Sequence, residues 1–240
     1  MRIRRAATTV IMVCLAGIFL VSAWKLGTIL RNYILNQKAY DKVSEQAGTK
    51  DGFTGDIDFD ALRKINPDVI GWLYYEDTPI DYPIVQGEDN DKYLKTMFDG
   101  TQGSFGTLFA DCETMEPFRQ FNTIVYGHHM KDGSMLAALS KLKDPAWCTD
   151  HPQLELITPE GKYHLEIWAF LNQPSDSGIY TSNVTGSEAQ AGYIGLAESL
   201  ADYTTGVSVT ADDRLVLLST CAYEYDEARY IAVCRMVPWE

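Results

Sequence analysis

Lys162-Tyr-His-Leu-Glu-Ile-Trp-Ala-Phe-Leu171 is the stretch from which the fold is read. Tyr163, Leu165, Ile167 and Ala169 alternate with His164, Glu166 and Trp168, which is the two-residue period of a strand with two unlike faces. Outward from it, runs of the same kind occupy Val69–Tyr75, Ile80–Gln86, Gly106–Ala110, Thr123–Tyr126, Gln153–Thr158, Leu215–Thr220 and Tyr230–Val237. Turn residues such as Glu160-Gly161 and Asp212-Asp213 separate some of these runs, as hairpins require. Helical patterns are fewer. They lie at Asp91–Phe98, Ser134–Leu142 and Ser187–Tyr203, with a short helix through Leu62 and Ile65 that Asp58 or Asp60 can cap and that stops before Asn66-Pro67. In the longest of them Tyr193, Leu196, Ala197 and Leu200 form one apolar stripe. Many strands with few helices predict a mainly β fold, a closed or nearly closed barrel decorated by helices.

Before that domain lies a different kind of segment. Arg2, Arg4 and Arg5 are followed by an uncharged run from Ala6 to Trp24, nineteen residues, and then by Lys25. At ~1.5 Å per residue such a helix spans roughly 29 Å, about one hydrocarbon core. The arginines place residues 1–5 in the cytoplasm and the rest of the chain outside the cell membrane, after a single pass over 6–24. Val21-Ser22-Ala23 would suit a signal peptidase, but the apolar run exceeds the ~7–15 residues of a signal-peptide core, so an uncleaved signal-anchor is expected. Residues 25–54 then read as a helical juxtamembrane segment closing near Gly48 and Gly52, and 55–240 as one domain.

Hydrophobic residues make up 46% of the 240 and charged residues 22%, which excludes a disordered chain or a mostly membrane-embedded one. The formal charge is −13, and residues 1–24 hold no acid, so the external part is more acidic still. That argues against nucleic acid as a partner, because phosphate binding needs lysine and arginine. Five scattered cysteines without C-x-x-C spacing make neither a disulfide framework nor a zinc site.

Two segments can carry chemistry. Asn122-Thr-Ile-Val-Tyr-Gly-His128-His129 ends a β-branched run in two histidines, and Leu215-Val-Leu-Leu-Ser219-Thr220-Cys221 ends an apolar strand in a thiol, with Arg229 opening the next. A thiol is a nucleophile as thiolate, and a nearby cation stabilises that form. Arginine can hold an oxyanion without losing its proton, and histidine can protonate a leaving amine. Cys221, His128 or His129, and Arg229 are therefore a sufficient set, although a cysteine or histidine at a strand end also serves as plain core, and Arg229 could pair with Glu224, Asp226 or Glu227. Adjacent histidines on extended chain point apart and no clustered carboxylate joins them, so neither metal nor cofactor is expected. Glycine motifs for nucleotides and the serine-hydrolase elbow are missing from the sequence.

At these residues the sequence resembles the sortases, the cysteine transpeptidases that attach proteins to the Gram-positive cell wall. Leu218-Ser219-Thr220-Cys221 is similar to their L-x-T-C motif, with Arg229 eight positions on, and Tyr126-Gly127-His128 is similar to the histidine motif, which selects His128. Class B is the more specific resemblance, carried by Phe59–Trp72, Ile80–Gln86, Asp89-Asn90 before Tyr93-Leu94, His128–Met135 and the long helix before the nucleophile strand. The resemblance covers roughly 55–240 and implies an eight-stranded β-barrel. It further implies that Cys221 attacks the threonyl carbonyl of a C-terminal sorting motif, Asn-Pro-x-Thr-like or a relative, on a surface protein. His128 would be proton donor and acceptor, and Arg229 would hold the oxyanion or the substrate backbone. An amine of a peptidoglycan cross-bridge or lipid-linked precursor would complete the transfer. Asn90, Leu94 and Ser219 match the class B groove by position, Thr220 is a further substrate-binding candidate, and Ile179 and Tyr180 are candidates from the loop before the long helix. Ala222 departs from the acidic residue that some members carry after the cysteine.

Two other readings use the same residues: a membrane-anchored cysteine peptidase that hydrolyses, and a non-catalytic binding module. An intact Cys221, His128 and Arg229 count against the second. Cys112, Cys148 after a helix, and Cys234 read as free and incidental, with Cys234 facing away from Arg229 unless a bulge intervenes.

Overall fold

The computed structural model describes residues 2–50, 52–222, 224–225 and 227–239. Asp226 lies outside the described residues, as do the side chains of Arg2, Arg4 and Arg5. A helix, α1, runs unbroken over Arg2–Ala47. It contains no proline, and Gly48 ends it at φ +88°, a conformation glycine adopts without a Cβ penalty. At ~1.5 Å per residue it is a rod of about 69 Å. The expected anchor and juxtamembrane segment are thus one element, and its two ends differ in surroundings. Ile11, Leu15, Phe19, Trp24 and Ile29 are exposed, whereas Tyr40, Val43 and Ala47 are buried against the barrel. Asn36 donates to Ser104 and the Tyr40 hydroxyl to the Gly106 carbonyl, so the last three turns of α1 are part of the globular body.

The strands are β1 (Val69–Tyr74), β2 (Asp81–Gln86), β3 (Leu108–Ala110), β4 (Asn122–Tyr126), β5 (Gln153–Thr158), β6 (Gly161–Pro174), β7 (Tyr203–Thr204), β8 (Arg214–Cys221) and β9 (Ala228–Pro238). Neighbours run β5-β1-β2-β3-β4-β8-β9-β6, and β5 also pairs with β6, which closes eight strands into a barrel. Closure leaves no ring edge unpaired. The two-residue β7 lies outside the ring on β6. Pairs β2–β3 and β4–β8 are parallel, the others antiparallel.

Both faces of the central strands are covered. Leu165, Ile167, Val216, Leu218, Ala232 and Cys234 belong to one buried cluster, inside the barrel. Leu215, Leu217, Ile231 and Val233 belong to a second, with Tyr193 and Ala197 of α5 (Ser187–Leu200). The alternation expected over residues 162–171 holds only to Ile167. A bulge follows, since Ile167 pairs with Cys234 but Ala169 pairs with Val233. Trp168 is the extra residue, so Phe170 takes the inward parity and Ala169 joins Leu171 in the outer cluster. Cys234 has the inward parity and faces away from Arg229, as expected.

The helices are shorter than the sequence suggested. Asp91–Phe98 contributes only Lys92–Lys95 (α3, after α2 at Phe59–Ile65), because Thr96 turns extended and bridges to Gln102. Ser134–Leu142 becomes a 3-10 helix over Leu136–Lys143, whose buried Leu136, Leu139 and Leu142 recur at the three-residue period of that helix. Tyr203 leaves α5 to pair in β7, and Cys148 lies within α4 (Pro145–Asp150) rather than after a helix.

Candidate active site

Three strand ends meet on the outer side of the barrel. Parallel pairing sets Tyr126 at the end of β4 beside Ser219 of β8, and the Gly127 amide donates to the Ser219 carbonyl at 3.1 Å. Antiparallel pairing makes Cys221 and Arg229 direct cross-strand neighbours. Gly127 permits the close passage that carries the chain on to His128, since a Cβ there would collide with Leu108 and Leu136. A cleft of about 280 Å³ results, lined by His128, Cys221, Arg229, Asn90, Leu94, Ser219, Thr220 and Tyr180 among others. Eight of the nine residues singled out from the sequence therefore share one cleft. Ile179 does not line it. Its side chain is fully buried in the outer cluster, and its carbonyl accepts from the Tyr193 hydroxyl at 2.7 Å, so it anchors the loop that presents Tyr180.

The two histidines separate as extended chain requires. His128 enters the cleft and its Nε2 bonds the Leu94 carbonyl at 2.6 Å. His129 Nδ1 bonds the Cys221 carbonyl at 2.8 Å, which ties the histidine loop to the end of β8. A carbonyl only accepts, so both of those ring nitrogens carry hydrogen. Leu94 thus contributes its carbonyl as well as its side chain.

Arg229 is half-buried and donates to the Glu227 carboxylate and the Ala228 carbonyl, both at 3.0 Å. Of the acidic partners weighed from sequence, Glu227 is the one it takes among the described residues, Asp226 lying outside them. Glu224 instead pairs with Lys143 at 2.7 Å and accepts from the Tyr230 hydroxyl, pinning the β8–β9 loop to the 3-10 helix. The Ala222 amide donates to the Ala228 carbonyl at 2.8 Å and closes that loop at its base.

Tyr180 and Ser219 share a hydroxyl–hydroxyl hydrogen bond of 2.8 Å, and the Tyr180 ring stacks on Tyr126 at 6.1 Å between centroids. Burial pushes the Tyr180 phenol up to about 12, against the pull of its Ser219 bond and of the Arg229 charge, so it is a neutral group at any ordinary pH. Thr220, although it lines the cleft, is buried and its hydroxyl has no partner among the described residues. Tyr126, Phe109 and Ser175 complete the wall, and they were not singled out as site residues. Tyr126 stands two positions before His128 and was legible in the motif, whereas nothing local marks Phe109 or Ser175.

All five cysteines are free. Burial pushes the Cys148 and Cys234 thiols up, so neither forms a thiolate readily. Among the described residues, no group of three or more His, Cys, Asp or Glu is placed to hold a metal ion.

No protein-family model matches the chain. The sortase B of Listeria monocytogenes is 34% identical over 229 residues, 92% of this chain and 93% of that protein. The sortase B of Staphylococcus aureus is 30% identical over 182 residues, 75% of this chain and 74% of that one. A structure of a Staphylococcus aureus sortase B–substrate complex superposes with a TM-score of 0.71 at 25% identity, over 87% of this chain and 95% of that chain. With the closed barrel and a cysteine, a histidine and an arginine in one cleft, this identity over nearly the whole length makes the chain a member of the sortase family, class B, and a cysteine transpeptidase.

Proposed function

We propose that the chain is a membrane-anchored transpeptidase that cuts a C-terminal sorting motif after threonine and transfers the protein to a peptidoglycan amine. The observation that carries this reading is the pairing of Cys221 with Arg229 across adjacent strands, with His128 in the same cleft. Cys221 Sγ attacks the threonyl carbonyl carbon, and the Arg229 guanidinium takes the oxygen as it gains charge. The C–N bond then breaks, the leaving amine takes a proton from His128, and a thioester remains. An incoming amine gives a proton back to His128, forms the new amide and releases the thiolate. Because Nε2 is committed to the Leu94 carbonyl, Nδ1 is the nitrogen that exchanges these protons. Arg229 must exchange Glu227 for substrate. The Glu227 side chain is 71% exposed, and an ion pair that open to water contributes only about 0–1 kcal/mol, so the exchange is cheap.

Asn90, Leu94, Ser219, Thr220 and Tyr180 would bind the sorting peptide along the cleft, a role compatible with their lining it. The Staphylococcus aureus relative has been caught with a substrate, which supports a peptide-binding use of the equivalent region here. Among the described residues one helix, over Cys14–Ala47, is long and apolar enough to cross a membrane, and its exposed apolar surface supports a single pass, which the uncharged run of the sequence would put over 6–24. Residues 1–5 would be cytoplasmic, 25–54 juxtamembrane, and 55–240 the extracellular catalytic domain.

The test is to incubate the full chain in detergent with a mixed set of sorting-motif peptides, with and without oligoglycine or a diamine. Products are read by mass spectrometry beside Cys221→Ala. A peptide cut after threonine and joined to the amine, lost in the variant, is the expected result. Free acid as the sole product in excess amine would replace transfer with hydrolysis.

A further inference from the structure

Behind the cleft wall, just past β3, the buried Asp111 gathers three donors on one carboxylate. Its Oδ2 accepts from Asn90 Nδ2 at 3.2 Å and from the Tyr126 hydroxyl at 3.0 Å, and its Oδ1 accepts from the Glu113 amide at 2.9 Å. Asn90 and Tyr126 line the cleft, and Asp111 does not. Its backbone is fixed as well: the Asp111 amide donates to the Ile124 carbonyl at 2.9 Å, and the Asp111 carbonyl accepts from Gln86 Nε2 at 3.0 Å.

The Asn90 amide has only one orientation in this setting. Cys112 N–H donates to Asn90 Oδ1 at 2.9 Å, and a backbone N–H cannot accept. The carboxylate on the other side cannot donate. Turning the amide over would set donor against donor and acceptor against acceptor. One Nδ2 hydrogen is thereby spent on Asp111, and the second is left for the cleft. Likewise the Tyr126 hydroxyl, having given its hydrogen to Asp111, offers the cleft an acceptor.

We propose that Asp111 is a positioning residue for the substrate cleft: it makes Asn90 a donor and Tyr126 an acceptor toward the bound peptide without touching that peptide itself. The wall so arranged is complementary to an amide group, and a carboxylate holds its partners more firmly than a neutral acceptor does. The proposal rests on the transpeptidase reading for its kinetic test, and the Asn90 amide supplies a test that does not.

Asp111→Asn is the informative substitution. The Glu113 amide claims the remaining oxygen, so the new NH₂ faces the two donors that the carboxylate had accepted from. In the full chain, KM for the sorting peptide should rise about tenfold while kcat stays within about twofold. The rate of Cys221 alkylation by iodoacetamide should also stay within about twofold, since the nucleophile is not touched. In an Asn90→Ala, Tyr126→Phe background the same substitution should add less than about twofold, because its two dependents are gone. An equal tenfold cost in that background would overturn the proposal. So would a fall in kcat and alkylation rate with KM unchanged, which is what a general collapse of the site would give. Independently of turnover, the two side-chain amide protons of Asn90, assigned by their loss in Asn90→Ala, should stand far apart by NMR and draw together in Asp111→Asn. An unchanged pair overturns the proposal even in an active enzyme. If the wild type fails to turn over any peptide, the transpeptidase reading falls, and the amide spectrum alone decides the role of Asp111.

Discussion

The two faces of β8 begin alike and end differently. Inward, Val216 and Leu218 fill the barrel, and Thr220 at the end of that face stays buried although it borders the cleft. Outward, Leu215 and Leu217 pack beneath α5, but then come Ser219 and Cys221, which line the cleft. The strand is thus clamped on both sides for most of its length and released on one side only at its end. The proposed nucleophile, so placed, inherits the rigidity of a doubly covered strand and still meets solvent. Stability belongs to the inner face and chemistry to the last outer positions, which gives the comparison measurable consequences.

The largest expected effect is on chemistry alone. Cys221→Ala should lower transpeptidation more than about 10³-fold while the melting temperature moves little, because the outer end of β8 is not core. Next comes its mirror image, Leu218→Ala, which removes a fully buried side chain from the barrel. It should cost about 2–5 kcal/mol of stability by denaturant unfolding, with kcat intact wherever the protein remains folded. A near-neutral Leu218→Ala would break the division between faces. Gly127→Ala joins the two properties, since the added methyl meets Leu108 and Leu136 of the core and must displace the chain leading to His128. About 1–3 kcal/mol of stability and a drop in kcat larger than the change in KM are expected from parallel melts and kinetics.

Smaller effects sharpen the picture on the cleft side. Tyr180→Phe deletes the hydroxyl bonded to Ser219 and should cost about 0.5–1.5 kcal/mol, seen chiefly as a raised KM. The smallest belongs to Glu227→Gln, which loosens the resting hold on Arg229. A KM lowered by less than about threefold with unchanged stability is expected for so exposed a pair. A large loss of activity instead would mean that Glu227 takes part beyond the resting state.

Legibility followed the range of the interactions. All eight ring strands were visible because each carries its own run of apolar or β-branched residues, and Leu218–Cys221 and Tyr126–His128 are contiguous motifs at strand ends. Ile179 lies behind the cleft wall because successive residues of the 3-10 turn Gly178–Tyr180 point in different directions, and which one faces the cleft depends on α5 packing above them. The helical pattern over residues 134–142 leaves the helix type open, because a spacing of three suits a 3-10 helix as well as one face of an α-helix.

The sequence by itself determined the strand content, a thiol, an arginine and adjacent histidines at strand ends, and a long apolar run before the domain. These rest on local periodicity and on the chemistry of single side chains, which a chain carries into any fold. Only the tertiary structure decided that Trp168 bulges and reverses the parity of β6, and that α1 runs unbroken from the apolar run onto the barrel wall. The same holds for the Leu94 carbonyl that holds His128, and for Asp111 lying behind Asn90 and Tyr126. Each is a contact between segments far apart in sequence, set by which strands lie side by side when the barrel closes, and no local pattern encodes that adjacency.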